Sequence, residues 1–285
     1  MAPAPIHVVA GALVDKAGRV LIAERPPGKA QAGRWEFPGG KRHERESPRE
    51  ALARELMEEI GVELGAAAPL LAITHHYAGA PAPVLIDCWR VESWRGEVKP
   101  LDGQRLRWCT LPELAAADIL EADRSIVTAL LLPRIFVRLE PGATAAALQR
   151  TSARGERVGW LIDAGLTDPD LLARLAADGA QVFLIDPVAP AAPAERAIYT
   201  RTEAFRPSTA RLAPAGRLVA SATEAHAARE AGADFLLVGE RELPSGTLAE
   251  VAATGLPWYL NVVRPAAAGE PLPTGQLWWR PGGAR

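Results

Sequence analysis

Cysteine is nearly absent from this chain: Cys88 and Cys109 are the only two in 285 residues. Two are too few for a disulfide framework and these lie too far apart for a C-x-x-C motif, so they read as ordinary buried thiols in a reducing compartment. Also missing is any run approaching the roughly 18 apolar residues that a membrane helix needs. Met1-Ala2-Pro3-Ala4-Pro5 has neither the basic start nor the apolar core of a signal peptide, so the expected compartment is the cytoplasm. Charge of one sign is lacking too, because Lys+Arg 32 against Asp+Glu 34 leaves a net charge of −2. That balance excludes bulk electrostatic attraction to a nucleic-acid polymer or a membrane, and a small nucleotide is the better match as ligand.

What is present is apolar material enough for real cores, at 48% of residues, in a chain longer than one domain usually is. His7–Val14 and Arg19–Arg25 read as strands joined in a hairpin by Asp15-Lys16-Ala17-Gly18. Leu70–His76, Val84–Val91 and Arg105–Thr110 are further strand candidates, and Asp123–Leu132 reads as a helix. Pro133 closes this first region, which divides the chain into domains 1–133 and 134–285. From Ile135 the texture changes to eight short apolar runs alternating with Ala-rich segments: Ile135–Leu139, Val158–Asp163, Gln181–Asp186, Ile198–Thr202, Leu218–Ala222, Phe235–Gly239, Trp258–Val263 and Gln276–Trp279. With helical segments such as Pro169–Asp178, Ala222–Ala231 and Gly246–Thr254 between them, the alternation predicts a parallel barrel. The segment is short for eight full βα units, so some helices must be reduced.

The densest chemistry lies between the first strands and Leu70. Gly40, Glu46, Arg54-Glu55-Leu56, Glu58-Glu59 and Gly61-Val62 fit G-x5-E-x7-R-E-U-x-E-E-x-G-U at every specified position, U being a bulky aliphatic residue. On average residue usage a chance match in such a chain is on the order of one in ten million. Ser47, Pro48 and Glu50 form the start signal of a helix, and Gly61 its stop. Leu52, Leu56 and Ile60 make one apolar stripe, whereas Glu55, Glu58 and Glu59 gather on another face. Carboxylates so close together repel one another. Hard oxygen ligands on one rigid element suit Mg²⁺ or Mn²⁺, which keep waters and share substrate phosphates. Gly39-Gly40, without Cβ atoms, lets backbone come close to metal or phosphate.

This stretch resembles the Nudix box, and the flanking Trp35-Glu36-Phe37-Pro38-Gly39-Gly40-Lys41 resembles the MutT-type subgroup that removes 8-oxo-dGTP. The resemblance covers about residues 5–132. It implies an α/β/α sandwich with a mixed sheet, in which the box binds Mg²⁺ and positions a water that attacks phosphorus. By the same resemblance Glu55, Glu58 and Glu59 bind metal and activate water, with the Gly39 carbonyl as a further ligand. Arg54, i,i+4 from Glu58, is placed to orient that carboxylate through a salt bridge, its alternative being a surface ion pair; Glu46 supports the loop. Asp102 falls where the subgroup carries a loop glutamate near the metals, its alternative being a plain Asp-Gly turn. Arg25, Phe37, Pro38, Gly39 and Gly40 match nucleotide-contacting positions, although Phe37 fits a core position as well. Asp123 stands where the subgroup has an asparagine that reads the oxidised purine, and Ala30 replaces a polar loop residue. A carboxylate offers acceptors only unless protonated, whereas an amide offers both donor and acceptor; the other reading of Asp123 is a helix N-cap.

Farther on, Leu218–His226 and Ala231–Gly239 resemble the thiamine phosphate synthase/TenI group, known fused behind MutT-type domains. Where that group's basic second-strand segment and Gly-Gly phosphate turn belong, this chain has Trp160–Ala164 and Asn261–Arg264. The resemblance therefore implies a degenerate barrel without synthase chemistry. Together the two resemblances imply a pyrophosphohydrolase that turns 8-oxo-dGTP or a related nucleoside triphosphate into monophosphate and pyrophosphate, a step of nucleotide-pool sanitation and DNA repair. The alternatives are hydrolysis of thiamine-type pyrophosphates or their toxic analogues and, in another class, a non-catalytic nucleotide sensor. The complete Glu55/Glu58/Glu59 set argues against the sensor.

Overall fold

The structure, a computed structural model, describes residues 3–133 continuously and, beyond them, 135–138, 158–163, 181–185, 197–200, 215–219, 221–231, 233–238, 250–251, 253–254, 256, 258–262 and 276–279. Two compact units divide the chain, Met1–Leu130 and Leu131–Arg285. Among the described residues no helix is long and apolar enough to cross a membrane.

The first unit is built on a mixed four-stranded sheet. Strand β1 (Ile6–Leu13) runs parallel to β7 (Val84–Val91) and antiparallel to β4 (Gly39–Lys41), and β6 (Ala67–His75) pairs antiparallel with the far side of β7. A second, antiparallel sheet holds β2 (Val20–Glu24) between β3 (Trp35–Glu36) and β9 (Arg105–Cys109), and a short pair joins β5 (Glu63–Leu64) to β8 (Trp94–Arg95). The predicted hairpin is therefore corrected. Its turn exists, with Asp15 accepting from the backbone N–H groups of Ala17 and Arg19, but only the isolated bridge Val14–Val20 links the two strands. Val9 through Leu13 are buried without alternation, which suits an interior strand flanked on both sides rather than one arm of a hairpin.

Helix α1 (Pro48–Ile60) carries the box and starts and stops as its sequence dictates. Ser47 accepts from the Glu50 backbone N–H while the Glu50 side chain accepts from the Ser47 N–H, and Gly61 turns into the left-handed region at φ 69°. Leu52, Leu56 and Ile60 are fully buried against Val9, Leu13, Leu21, Val62 and Val91. Each such side chain contributes about 1.5–3 kcal/mol relative to leaving it exposed, so one face of α1 is fixed and the acidic face is aimed away. After α2 (Leu111–Ala116) comes a single 3₁₀ turn, Glu121–Asp123, and then α3 (Arg124–Leu131).

The second unit closes eight strands into a barrel in chain order: β10 (Ile135–Arg138), β11 (Val158–Asp163), β12 (Gln181–Ile185), β13 (Ala197–Thr200), β14 (Ala215–Val219), β15 (Phe235–Val238), β16 (Trp258–Val262) and β17 (Gln276–Trp279). Phe136, Phe183 and Phe235 fill its described core, with ring centroids 4.8, 5.7 and 6.0 Å apart. The all-parallel expectation is corrected at one strand, since β13 runs antiparallel to both β12 and β14. A parallel crossover needs a dozen or more residues, usually helical, and the sequence between β12 and β13 carries Pro187, Pro190 and Pro193, which break helices. Strand β14 also ends earlier than its apolar run suggests, because Ser221 accepts from the Glu224 N–H and caps α4 (Ala222–Glu230) there. The segment Pro169–Asp178 lies outside the described residues, as does most of Gly246–Thr254.

Candidate active site

Two glycines shape the floor of the acidic face. Gly39 sits at φ 150°, and a Cβ there would lie 2.1 Å from the Val9 carbonyl oxygen; no other residue fits. A Cβ on Gly40 would lie 2.5 Å from the Glu55 carboxylate, so the missing side chain is the space that Glu55 occupies. Gly40→Ala should accordingly displace Glu55, whose far end can move, while leaving the backbone intact. We expect kcat to fall by tenfold or more, on the order of the loss from misplacing a reacting group by an ångström, with little change in Tm. Unchanged kcat would remove Glu55 from the reaction.

Above that floor Arg54 gathers the acids. Its Nε and Nη2 hold both oxygens of Glu46 at 2.7 and 2.9 Å, its Nη1 reaches Glu55 at 2.9 Å and Glu58 at 3.1 Å, and Nη2 also donates to the Lys41 carbonyl. The guanidinium, followed by the His43 backbone N–H, holds the Glu46 carboxyl down at about 2. Glu46 thus stays ionised and anchors Arg54, which in turn orients Glu55 and Glu58. Glu59 is turned the other way and accepts from the Gly39 N–H at 3.0 Å. Burial pushes its carboxyl up to about 7, against the Gly39 hydrogen bond, and the charges of Glu36 and Glu55 add to the rise. The Gly40 cradle keeps Glu55 close to the backbone. Among the described residues no three acids converge closely enough to enclose a cation, Glu59 being turned onto the Gly39 N–H, but carboxylate and carbonyl oxygens are the donors that a hard divalent cation takes.

The neighbouring loop is fastened to the end of α1. Leu101 N–H and the Gln104 side-chain amide both donate to the Glu59 carbonyl, and Gln104 in turn accepts from the Asp102 N–H. Asp102 is half-exposed, and its carboxylate is held by Lys29 at 2.7 Å. Gln104 and Lys29 were not singled out by the sequence. The spacing of Gln104 from Asp102 hints at a turn, but its partner is distant.

A second group of acids gathers around β3, where Glu36 and Asp123 influence one another. Arg25 is paired with Glu36 and donates to the Ala30 carbonyl. Asp123, 6% exposed, does not cap α3; its Oδ2 accepts from the Phe37 N–H at 3.1 Å, and the turn at Glu121–Asp123 is preceded by Leu120 as cap. Burial raises the Asp123 carboxyl to about 7, with the Phe37 bond opposing and Glu36 adding to the rise. Glu36 is raised for the same first reason, burial, with Arg25 opposing. Tyr77, edge-on to His75 at 4.4 Å, feels the charges of Asp123, Arg25 and Glu36, which adds an aromatic wall. The Phe37 side chain itself is 4% exposed and Pro38 is buried, so both contribute mainly through their backbone here.

A mixed-sheet fold, a capped helix with three carboxylates on one face and a Gly-Gly floor define a Nudix site, and comparison with known proteins agrees. The NUDIX domain family model matches residues 5–130. The CTP pyrophosphohydrolase of Escherichia coli (strain K12) is 35% identical over 129 residues, which are 45% of this chain and 93% of that protein. The 8-oxo-dGTP diphosphatase of Proteus vulgaris is 36% identical over 98 residues, 34% of this chain and 86% of that protein, and the 8-oxo-dGTP diphosphatase of Haemophilus influenzae is 32% identical over 127 residues, 44% and 91%. The chain belongs to the Nudix family. Within it the first unit is MutT-like, a hydrolase acting on phosphoanhydride bonds.

Proposed function

We propose that the first unit is a Mg²⁺-dependent nucleoside triphosphate pyrophosphohydrolase, with Mn²⁺ as an alternative metal, that releases monophosphate and pyrophosphate. The observation that carries this reading is the face of α1, where Glu55, Glu58 and Glu59 stand over Gly39-Gly40 with Arg54 ordering two of them. Glu55, Glu58 and Glu59, with the Gly39 carbonyl and Asp102, would hold the metal. Bound there, the metal would neutralise phosphate oxygens and acidify a water. The chain's own contribution is placement: Arg54 keeps Glu55 and Glu58 in one orientation, and the Gly39 N–H holds Glu59. One of these carboxylates takes the water's proton.

For the base, the residues we assign are Asp123 and Arg25, whose charges act on one another and on Tyr77. 8-oxo-dGTP or a related nucleotide is the substrate favoured by the 8-oxo-dGTP diphosphatase relatives. A second reading rests on Asp123 itself. In its ionised form, reached above about pH 7, it offers acceptors only, which match an exocyclic amino group such as that of cytosine, and a CTP pyrophosphohydrolase is among the relatives. The second unit we read as a degenerate barrel of the thiamine phosphate synthase/TenI kind; its closed ring of eight strands and capped α4 support this, and the reversed β13 departs from it. The test is turnover of 8-oxo-dGTP, dGTP, CTP and thiamine pyrophosphate in Mg²⁺. A kcat/KM highest for 8-oxo-dGTP supports the first reading and one highest for CTP the second. Preference for thiamine pyrophosphate overturns both.

A further inference from the structure

Lys29 is a cation near the acidic face whose placement the proposed reaction does not use. It sits on the loop between β2 and β3, closed at its base by the backbone bonds Arg25–Arg34 and Gly33–Arg25. Gly28 and Gly33 flank it at φ 92° and 86°, and a Cβ on either would meet nothing within 4 Å, so the loop's turns stand in open space. The ammonium lies 2.7 Å from Asp102, with side-chain exposures of 47% and 50%. Its charge is also felt by Glu59, which accepts from the Gly39 N–H, and by Glu36. A cation on a long flexible stem therefore stands beside Asp102, on a loop that Gln104 and Leu101 fasten to the Glu59 carbonyl at the end of the acidic face.

We propose that Lys29 is a phosphate-binding side chain that rests on Asp102 while the site is empty and transfers to the phosphate chain when nucleotide binds. The inference rests on the reading of the acidic face as the phosphate site. An exposed Lys–Asp pair is worth about 0–1 kcal/mol, so leaving it costs little. A polyphosphate offers several ionised oxygens to an ammonium that acts as a mobile point charge. Release of Lys29 would also leave the Asp102 carboxylate available as a metal ligand. One swing of a side chain would serve both ligands.

Lys29→Ala and Lys29→Arg in the full chain test this, assayed for KM, kcat and Tm, alongside the Kd of a non-hydrolysable nucleoside triphosphate analogue in Mg²⁺. Losing one charged contact to phosphate should raise KM and Kd about tenfold, with kcat within about twofold and Tm unchanged, since the side chain is half-exposed. Lys29→Arg should restore most of the affinity. The Kd of the corresponding monophosphate should change less than that of the triphosphate analogue. Unchanged Kd and KM in Lys29→Ala overturn the inference and leave a surface ion pair. A wild-type chain that binds the analogue but hydrolyses no triphosphate defeats the functional reading alone, with the Kd ratio still deciding on Lys29. A wild-type chain that does not bind it overturns both.

Discussion

Replacing Glu59 by Gln is expected to lower kcat by a hundredfold or more, on the order of what loss of one charge-stabilising group costs an enzyme, while Tm holds or rises. The two effects have one cause. Glu59 is buried beside Glu36 and Glu55 and its carboxyl is pushed up to about 7, so ionisation there works against the fold, and a neutral isostere relieves it. Gln still offers an oxygen to the Gly39 N–H that Glu59 now uses. Glu55→Gln and Glu58→Gln should lower kcat comparably; Glu58, at 59% side-chain exposure and joined, among the described residues, to Arg54 alone, should do so without any cost in Tm. A helix face kept for packing would behave in the opposite way, losing stability and sparing turnover. Near-normal kcat in all three variants would sink the site assignment.

The second large effect belongs to Asp123→Asn, read against pH. The folded carboxyl is raised from the usual 3.8 to about 7, so between those values the native state holds a proton that the unfolded chain releases. Stability from this group is therefore greatest in acid and declines as pH rises from about 4 through about 7. Asn does not titrate and keeps an acceptor for the Phe37 N–H. The variant should match the wild type in Tm near pH 4, and exceed it near pH 8 by the equivalent of roughly 4 kcal/mol. It should also change substrate choice. With its carbonyl oxygen on Phe37, the Asn amide turns N–H donors toward the base, which favours a carbonyl edge over an amino edge. The ratio of kcat/KM for 8-oxo-dGTP over CTP should rise by about five- to a hundred-fold. A shifted Tm with an unchanged ratio would make Asp123 an anchor for the Phe37 backbone and remove it from base recognition.

Much of the box helix was legible in the sequence because its determinants are local. Ser47 and Glu50 are three residues apart, Gly61 follows directly on the last apolar position, and the Leu52/Leu56/Ile60 stripe is a matter of period. Arg54 with Glu58 is likewise an i,i+4 pair. What was not legible depends on distant partners. The turn Asp15–Gly18 is as good a hairpin signal in isolation as any, yet β1 and β2 join different sheets, because β1 finds β7 and β4. Asp123 reads as a cap from its position, and only the fold brings it to Phe37, 86 residues away. Gln104 finds the Glu59 carbonyl and Lys29 finds Asp102 for the same reason. In the second unit all eight strands were visible as apolar runs, but direction is not encoded in a run. The sequence before β13 holds three prolines, a residue that disfavours the helix a parallel crossover usually uses.

The central claim, that the acidic face of α1 cleaves a nucleoside triphosphate with a divalent metal, is tested most directly by identifying the products the full chain makes in Mg²⁺. We expect nucleoside monophosphate and pyrophosphate in equal amounts, with formation abolished by chelator and by Glu59→Gln. Diphosphate with orthophosphate, or turnover that survives chelation, would contradict it.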